Sequence, residues 1–375
     1  MKDIQKKKLI RVTTADISLD CLLKGQLKFL NQYFDVIGVA KDTGLLQKVS
    51  EREGIRVLNV PLERPISLFK DIKGLCLLYR LFRSEKPWCV HANTPKGSLL
   101  AMIAAWCARV PNRIYTVTGL RYQGAHGILR FILKSMERLS CLFSTKVIPE
   151  GRGVLHSLRK DKITKKPLRV ILNGNINGID TEFFKPIENE NKETSKELNF
   201  IFIGRIVKDK GIHELTECMR QLNCKLILVG SFEEDDPISL EDKNFLTTSE
   251  KVKFVGWQQD VRPYLAEADV LVFPSYREGF PNVPMQAGAM GIPSIVTNIN
   301  GCNEIIKDGL NGKIISAPLE EGSESMQKAL LSTMKWFIEH QEESKRMGVN
   351  ARPMIQERFE QKAVWKALKE FYDAL

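Results

Sequence analysis

Two segments of this 375-residue chain carry residue types and spacings suited to holding an anion. In Phe200-Ile-Phe-Ile-Gly-Arg-Ile-Val-Lys-Asp-Lys-Gly-Ile-His-Glu-Leu215, a strand-like run ends at Gly204-Arg205 and a helix is expected near Gly211. Arg205 and Lys210 fall in the loop between them, beside a helix amino terminus. A guanidinium gives paired, directional contacts to phosphate and an ammonium gives a point charge, so the two could clamp a diphosphate. The plainer alternative is a pair of solvated loop cations.

The second segment, residues 270–297, reads VLVFPSYREGFPNVPMQAGAMGIPSIVT. A buried strand is expected to end at Pro274, a tight loop to hold Glu278-Gly279-Phe280-Pro281, and Asn282 to cap the next helix. Pro284 would fall in the first helical turn, where its missing N–H costs little. Free backbone N–H groups of such a loop and helix start suit an anion. Glu278, just outside, could accept hydrogen bonds from sugar hydroxyls. Gln286 both donates and accepts, which suits a vicinal diol. The alternative is a loop carboxylate and a surface amide.

The elements that must position these residues follow from the hydrophobic pattern. Leu9–Thr13, Phe34–Val39, Val57–Val60, Val90–Asn93, Arg113–Val117 and Lys146–Ile148 read as strands. Helical patterns such as Ser67–Ser84 and Lys96–Ala108 separate them. Such alternation points to βαβ units and a parallel sheet, a Rossmann-like layer structure without a GxGxxG fingerprint. Pro186–Glu197 (PIENENKETSKE) cannot bury a core and reads as a linker. Phe200–Ile203, Lys225–Val229, Val252–Phe254, Val270–Phe273 and Ser294–Thr297 then repeat the alternation, and Ser325 to Leu375 reads as helix. In open α/β sheets ligands sit at the carboxyl ends of strands, where both segments lie.

Composition narrows the function classes. Hydrophobic residues make up 43% and charged residues 27%, ordinary globular values that exclude disordered and fibrous chains. No apolar run reaches the roughly 18 residues of a membrane span, and the charged amino terminus lacks an apolar signal core. The eight cysteines form no CxxC pair, and most lie in apolar runs such as GLCLLYRL, which suits a reducing compartment. His91, His126, His156, His213 and His340 show no ligand spacing, so no metal site is expected. Glu233-Glu-Asp-Asp236 is expected to be a solvated loop rather than a metal site. Net charge is +11, but residues 1–185 carry +18 and residues 186–375 carry −7. A basic half suits an anionic partner, whether nucleic acid, membrane or phosphorylated substrate, or simply aids solubility.

GRIVKDKG followed by PSYREGFPNVPMQAGAMGIPSIVTNINGCNEIIKDGLNG closely resembles the nucleotide-sugar-binding half of family 4 retaining glycosyltransferases. More narrowly it is similar to bacterial enzymes that build capsular polysaccharide or lipid-linked oligosaccharide. His91-Ala-Asn-Thr-Pro-Lys-Gly-Ser, Tyr115-Thr-Val-Thr-Gly-Leu120, Gly174-Asn-Ile-Asn-Gly-Ile-Asp180 and Phe184-Lys-Pro186 match the same group, so the resemblance spans nearly the whole chain. It implies an α/β fold of the GT-B type, with two Rossmann-like domains facing across a cleft. Residues 1–185 would bind the acceptor and residues 198–354 the nucleotide sugar, with a helix over residues 355–375 crossing back to the first domain.

By position, the resemblance makes Arg205 and Lys210 neutralise the donor diphosphate and Glu278 touch the transferred sugar, as the catalytic set. Gly204, Gly279, Phe280, Pro281, Asn282, Val283 and Gln286 would complete the donor site. Lys96, Gly119, Arg121 and His126 are the acceptor-side candidates. Gln286 stands where the family's second glutamate usually binds ribose, which removes about 1 kcal/mol of charge assistance. Thr116-Val-Thr-Gly119 lacks the histidine many relatives place at that strand end, so His91 and His126 are expected to be structural or acceptor-contacting. The implied chemistry is metal-independent and front-face, with the leaving diphosphate taking the acceptor's proton; a covalent route through Glu278 is the less favoured alternative.

The implied partners are a nucleotide sugar, expected to be a UDP-sugar, and a membrane-held polyprenyl-diphosphate glycan. No cofactor and no nucleic acid are expected. Residues 127–143 and 67–83 read as basic amphipathic helices and residues 159–166 as a basic loop, which suits an anionic membrane surface. The chain is therefore expected at the cytoplasmic face of the bacterial inner membrane, peripherally attached. The rival functions are a nucleotide-sugar epimerase, for which no acid/base carboxylate pair stands out, and a basic nucleic-acid-binding protein, for which no aromatic-interleaved basic motif does.

Overall fold

A computed structural model describes residues 6–63, 67–187, 197–234 and 236–375. The chain divides into two units, residues 1–177 with 362–375, and residues 178–361. Strand-forming runs and amphipathic helices alternate through each, as the hydrophobic pattern requires.

The first unit runs β1 (Lys8–Ala15), α1 (Asp16–Cys21), α2 (Gln26–Asn31), β2 (Asp35–Lys41), α3 (Leu46–Glu53), β3 (Arg56–Asn59), α4 (Leu68–Glu85), β4 (Cys89–Ala92), α5 (Pro95–Cys107), β5 (Asn112–Val117), α6 (Gly127–Phe143), β6 (Lys146–Pro149) and α7 (Arg152–Lys160). The strands are parallel in the order β3-β2-β1-β4-β5-β6, with Leu9 beside both Val36 and Cys89. Helices cover both faces, which explains why the strands read as nearly continuous apolar runs. Leu78 and Phe82 of α4, Ala101 and Ala105 of α5 and Leu133 of α6 pack on Ile10, Val90 and Tyr115. On the other face, Leu19, Leu27 and Val49 pack with Leu368 and Tyr372 from the chain's last helix.

The second unit runs β7 (Asn199–Ile203), α8 (Ile212–Gln221), β8 (Lys225–Val229), α9 (Leu240–Thr248), β9 (Val252–Gly256), α10 (Arg262–Glu267), β10 (Val270–Phe273), α11 (Asn282–Ala289), β11 (Ser294–Thr297), α12 (Cys302–Ile305), β12 (Gly312–Ile315), α13 (Pro318–Glu321), α14 (Ser323–Glu339), α15 (Gln341–Phe359) and α16 (Gln361–Asp373), whose residues from Lys362 on belong to the first unit. Its order, β12-β11-β10-β7-β8-β9, repeats that of the first sheet. In each sheet the strand order therefore reverses beside the unit's first strand, between β1 and β4 and between β7 and β10. Crevices at such reversals, beyond the carboxyl ends of the strands, are where doubly wound sheets bind ligands.

Three features differ from the sequence expectation. A sixth strand, β12, sits at the edge of the second sheet; its four residues, Gly-Lys-Ile-Ile, are too few to stand out as periodic. The units part at Asn177–Gly178 rather than in the polar stretch, of which residues 188–196 lie outside the described residues. The cause is a backbone bridge in which the Ile179 N–H donates to Phe359 and the Gln361 N–H to Ile179, at 2.8 and 3.0 Å. The returning helix consequently starts later than residue 355. Ile355 and Phe359 are buried in the core of the second unit, and Glu360 separates α15 from α16.

Candidate active site

The Arg205 and Lys210 loop leaves β7 and the Glu278 loop leaves β10, so the two flank the reversal of the second sheet. The Lys210 ammonium forms an ion pair with Glu278 Oε1, with side-chain exposures of 14 and 15%. Ser275 Oγ donates to the same carboxylate oxygen at 2.8 Å, and Lys210 Nζ donates to Ser275 Oγ at 3.3 Å. The two loops are stitched further by an Arg277–Asp209 ion pair and by the Tyr276 N–H donating to the Asp209 carbonyl at 2.9 Å. Tyr276 OH donates to the buried Glu214 carboxylate; burial and that bond hold the phenol above its ordinary pKa, so it stays protonated. Cys302, fully buried nearby, is kept a thiol by burial and by the Glu278 charge.

Two glycines allow this closeness. Gly211 has φ +68°, and a Cβ there would lie 2.1 Å from the Pro274 carbonyl oxygen, so only glycine lets α8 start against the end of β10. Gly301 has φ +74°, and a Cβ there would lie 2.6 Å from Gly279 O and from Phe280 Cα, beneath the Glu278 loop. The buried Phe280 ring packs edge-on against Phe359 at 5.4 Å and anchors that loop.

Arg205 stands apart from Lys210 in its pairing. Half exposed, it donates to Glu233 Oε2 at 2.9 Å. The acidic loop expected to be solvated is partly exposed, with Glu234 exposed and Glu233 and Asp236 half-buried, and Asp236 also accepts from the Asp209 and Lys208 N–H groups, at 2.8 and 3.2 Å. Asp235 lies outside the described residues. The acidic loop is docked on the cationic one because those backbone donors need partners.

Asn282 is not the cap of α11 but its first residue; the cap position is Pro281, and no side chain caps the helix. The first N–H groups of a helix have no intrahelical partner, and Pro284 supplies none. Asn282, Val283 and Gln286 are half-buried while Pro284, Met285 and Ala287–Ala289 are buried. One strip of α11 therefore stays open, and it carries the residues the sequence singled out. Gly204 and Gly279 complete the two strand-end loops.

The acceptor-side candidates lie at the carboxyl edge of the first sheet on separate elements. Lys96, in the first turn of α5, is buried and paired with Asp71 at 2.5 Å. Gly119 follows β5, Arg121 opens a short 3-10 turn and exposed His126 precedes α6. At the reversal, Thr14 N–H donates to Thr94 Oγ1 at 3.0 Å. His91 is structural: fully buried, it contacts Thr116 Oγ1 at 2.7 Å and the Tyr372 hydroxyl, and burial beside Arg11 keeps it neutral. Arg11 itself is fully buried, donating to Gln26 Oε1 and Asn93 Oδ1 at 2.7 and 2.9 Å.

Sequence reasoning did not single out Ser275, Arg277 and Asp209, although Ser275 and Arg277 lie in the run Pro274-Ser-Tyr-Arg277 between β10 and Glu278, and Asp209 lies between the two lysines of the first loop. Nor did it see His213, Glu217 and Asp242 converge, since Asp242 comes from another helix. Those three already have internal partners: His213 Nδ1 contacts Asp242 at 2.9 Å, and Arg220 donates to Glu217 at 3.1 Å.

The described pattern of glycosyl transferases group 1 matches residues 183–354, and that of glycosyl transferase 4-like proteins matches residues 19–150. The capsular polysaccharide biosynthesis glycosyltransferase CapM of Staphylococcus aureus is 32% identical over 381 aligned residues, covering 99% of this chain and 98% of that protein. An Escherichia coli UDP-Gal:alpha-D-GlcNAc-diphosphoundecaprenol alpha-1,3-galactosyltransferase is 29% identical, covering 76% of this chain and 77% of its own. Among solved structures, HepE of Anabaena in complex with UDP superposes with a TM-score of 0.79 at 17% identity, covering 99% of this chain and all of its own. Sucrose-phosphate synthase of Thermosynechococcus elongatus superposes with 0.80 at 18%, covering 98 and 99%. These two share the GT-B fold. The full-length similarity to the Staphylococcus aureus enzyme, on a fold common to such transferases, makes this chain a glycosyltransferase enzyme that belongs to the glycosyl transferases of group 1.

Proposed function

We propose that the enzyme transfers a sugar, with retention of anomeric configuration, from a UDP-sugar to a polyprenyl-diphosphate-linked glycan in capsule, O-antigen or related glycan synthesis. The observation that carries the donor half is the Lys210–Ser275–Glu278 cluster at the strand-order reversal, beside the uncapped start of α11. Lys210 has three N–H donors, and two meet Glu278 and Ser275, which leaves one for a phosphoryl oxygen. Glu278 is engaged through Oε1, and its other oxygen can accept from sugar hydroxyls. Arg205 on its exposed loop exchanges Glu233 for the diphosphate. Gln286, one turn along α11, would reach the ribose. In this scheme the anomeric carbon–oxygen bond breaks and the acceptor oxygen attacks the same face. Its proton passes to the leaving diphosphate, whose growing charge Lys210 and Arg205 stabilise in place of a metal ion.

The acceptor half is supported by relatives. The Escherichia coli enzyme's name specifies a diphosphoundecaprenol-linked sugar, as does that of a 28% identical Campylobacter jejuni N-acetylgalactosaminyltransferase. Lys96, Gly119, Arg121 and His126 are the residues proposed to face that acceptor. A donor screen against a synthetic polyprenyl-diphosphate sugar tests the whole scheme. Turnover should survive chelation of divalent ions and fall sharply in Arg205→Ala, Lys210→Ala and Glu278→Ala. Normal turnover in all three variants overturns the site.

A further inference from the structure

The proposed chemistry uses the carboxyl edges of the two sheets; the amino edge of the first sheet holds a hollow of its own. Four neighbouring parallel strands, β2, β1, β4 and β5, begin there, and α4 and α5 end there. The segments leading into those strands and out of those helices surround an open cavity of about 1050 Å³. That is the upper end of the size range of small-molecule sites. Its lining includes apolar Phe82, Trp88 and Val110. Around them stand six cations, Lys6, Lys7, Lys8, Arg83, Lys86 and Arg109, against two carboxylates, Asp35 and Glu85.

Pairing sorts these cations. Glu85 is bound by Lys8 and Arg56, at 2.7 Å each, and the charge of Asp35 acts on Arg56 as well. Lys6 donates to the Asn31 carbonyl at 2.8 Å and Lys8 to the Glu85 carbonyl at 2.9 Å, so both serve the carboxyl ends of helices. Lys7 rests over the Trp88 ring, 4.5 Å from its centroid. Arg83, Lys86 and Arg109 are exposed and, among the described residues, have neither an ion pair nor a side-chain hydrogen bond. Lys86 and Arg109 also hold left-handed backbone, φ +46° and +60°, where α4 and α5 end and glycine is the ordinary choice. Like charges gathered around one hollow repel, and a multiply charged anion removes that repulsion. A guanidinium fits phosphate oxygens with a fixed fork and an ammonium adds a point charge. A chain of phosphates, unlike a single one, can meet cations carried by two different helix ends.

We propose that this hollow binds a soluble oligophosphate anion, either an inorganic phosphate chain or the phosphate chain of a nucleotide, held by Arg83, Lys86 and Arg109 with Lys7 beside them. The ligand ties the end of α4 to the end of α5 and leaves the carboxyl edge of the same sheet free. The site is separate from the proposed donor and acceptor residues and does not rest on the proposed function.

Calorimetry of the full-length protein with tripolyphosphate, and in parallel with ATP and GTP, tests this at low salt. It is run on the wild type and on Arg205→Ala/Lys210→Ala, which removes the cations of the donor loops. Tripolyphosphate should bind both proteins at one site per chain and raise their thermal midpoints. Raised salt should weaken the binding. Arg83→Gln/Lys86→Gln/Arg109→Gln should weaken Kd by at least about tenfold, through lost charge-assisted bonds. These side chains are exposed and unpaired, so the thermal midpoint of the ligand-free variant should not fall. Equal affinity for tripolyphosphate and the nucleotides identifies the phosphate chain as the whole ligand; tighter nucleotide binding identifies a nucleotide. Absence of binding, binding that survives the triple substitution, or binding lost in Arg205→Ala/Lys210→Ala overturns the proposal. So does a glutamate-rich peptide that needs the same three cations and binds more tightly than tripolyphosphate, which would assign the hollow to an acidic protein segment.

Discussion

Lys210→Ala and Glu278→Ala, made singly and together, separate the folding role of the central ion pair from its role toward a ligand. With side-chain exposures of 14 and 15%, the pair lies between two limits. Exposed pairs contribute about 0–1 kcal/mol, and removing one partner of a fully buried pair costs about 3–5 kcal/mol. About 2 kcal/mol is therefore expected for either single variant. Lys210→Ala should be the milder, because Glu278 keeps Ser275 Oγ at 2.8 Å, whereas in Glu278→Ala the ammonium keeps Ser275 at a longer 3.3 Å. The double variant strands no charge. It should be more stable than the summed single effects predict, by roughly 1–2 kcal/mol, in chemical denaturation. UDP binding, measured by calorimetry, should behave differently. Losing one charge-assisted hydrogen bond costs about 1.5–3 kcal/mol, or roughly ten- to a hundredfold in Kd, and the double variant should not recover it. Additive destabilisation would refute the coupling, and wild-type UDP affinity in Lys210→Ala would refute the phosphate role.

Gly211→Ala should destabilise by at least about 2 kcal/mol, from a left-handed backbone and from the Cβ set 2.1 Å from Pro274 O. Gly54→Ala, at φ +64° with open space around it, supplies the control for the backbone cost alone in the same denaturation assay. Glu137 supplies a pH test, since burial pushes its carboxyl up to about 7 against the lowering bond from Tyr115. A carboxyl that releases its proton more readily unfolded than folded makes stability fall with rising pH, here between about 4.5 and 7. Glu137→Gln, which still accepts from Tyr115, should therefore raise the thermal midpoint at pH 8 relative to pH 5, by an amount worth about 1–3 kcal/mol. An equal shift at both pH values would show that Glu137 is not buried as a titrating group.

The strand-end loops were legible in the sequence because each combines a period change with turn residues: apolar runs ending in Gly204-Arg205 and in Pro274, then Gly211 and Pro284 at helix starts. Such signals are local, and so were the eleven strand assignments. Pairing was not legible. That Lys210 rather than Arg205 meets Glu278, and that Arg205 meets Glu233, depends on β7 lying between β10 and β8, which no local pattern encodes. The same reason hid the unit boundary. A polar stretch at residues 186–197 is a conspicuous linker, yet the dividing point lies beside a backbone bridge between Ile179 and Glu360, 181 residues apart in sequence. Hydrogen bonds of that kind carry no side-chain signature.

Charge shows most clearly what composition can and cannot locate. The residues 186–375 are acidic overall, yet they hold the cations proposed for the donor. Each of those is matched by a carboxylate, Lys210 by Glu278 and Arg205 by Glu233, so a site built to exchange one anion for another leaves no net charge to count. A lipid surface makes the opposite demand. It has no fixed geometry to reward placed pairs, so attraction to it depends on uncompensated cations beside exposed apolar side chains. Exposed Lys73, Arg130 and Arg138, near exposed Phe69 and Phe131 on α4 and α6, are of that kind, which is how the excess of the first 185 residues bears on the lipid-held acceptor we propose. Net charge reports on partners that are surfaces; partners that are held in sites must be read from pairing.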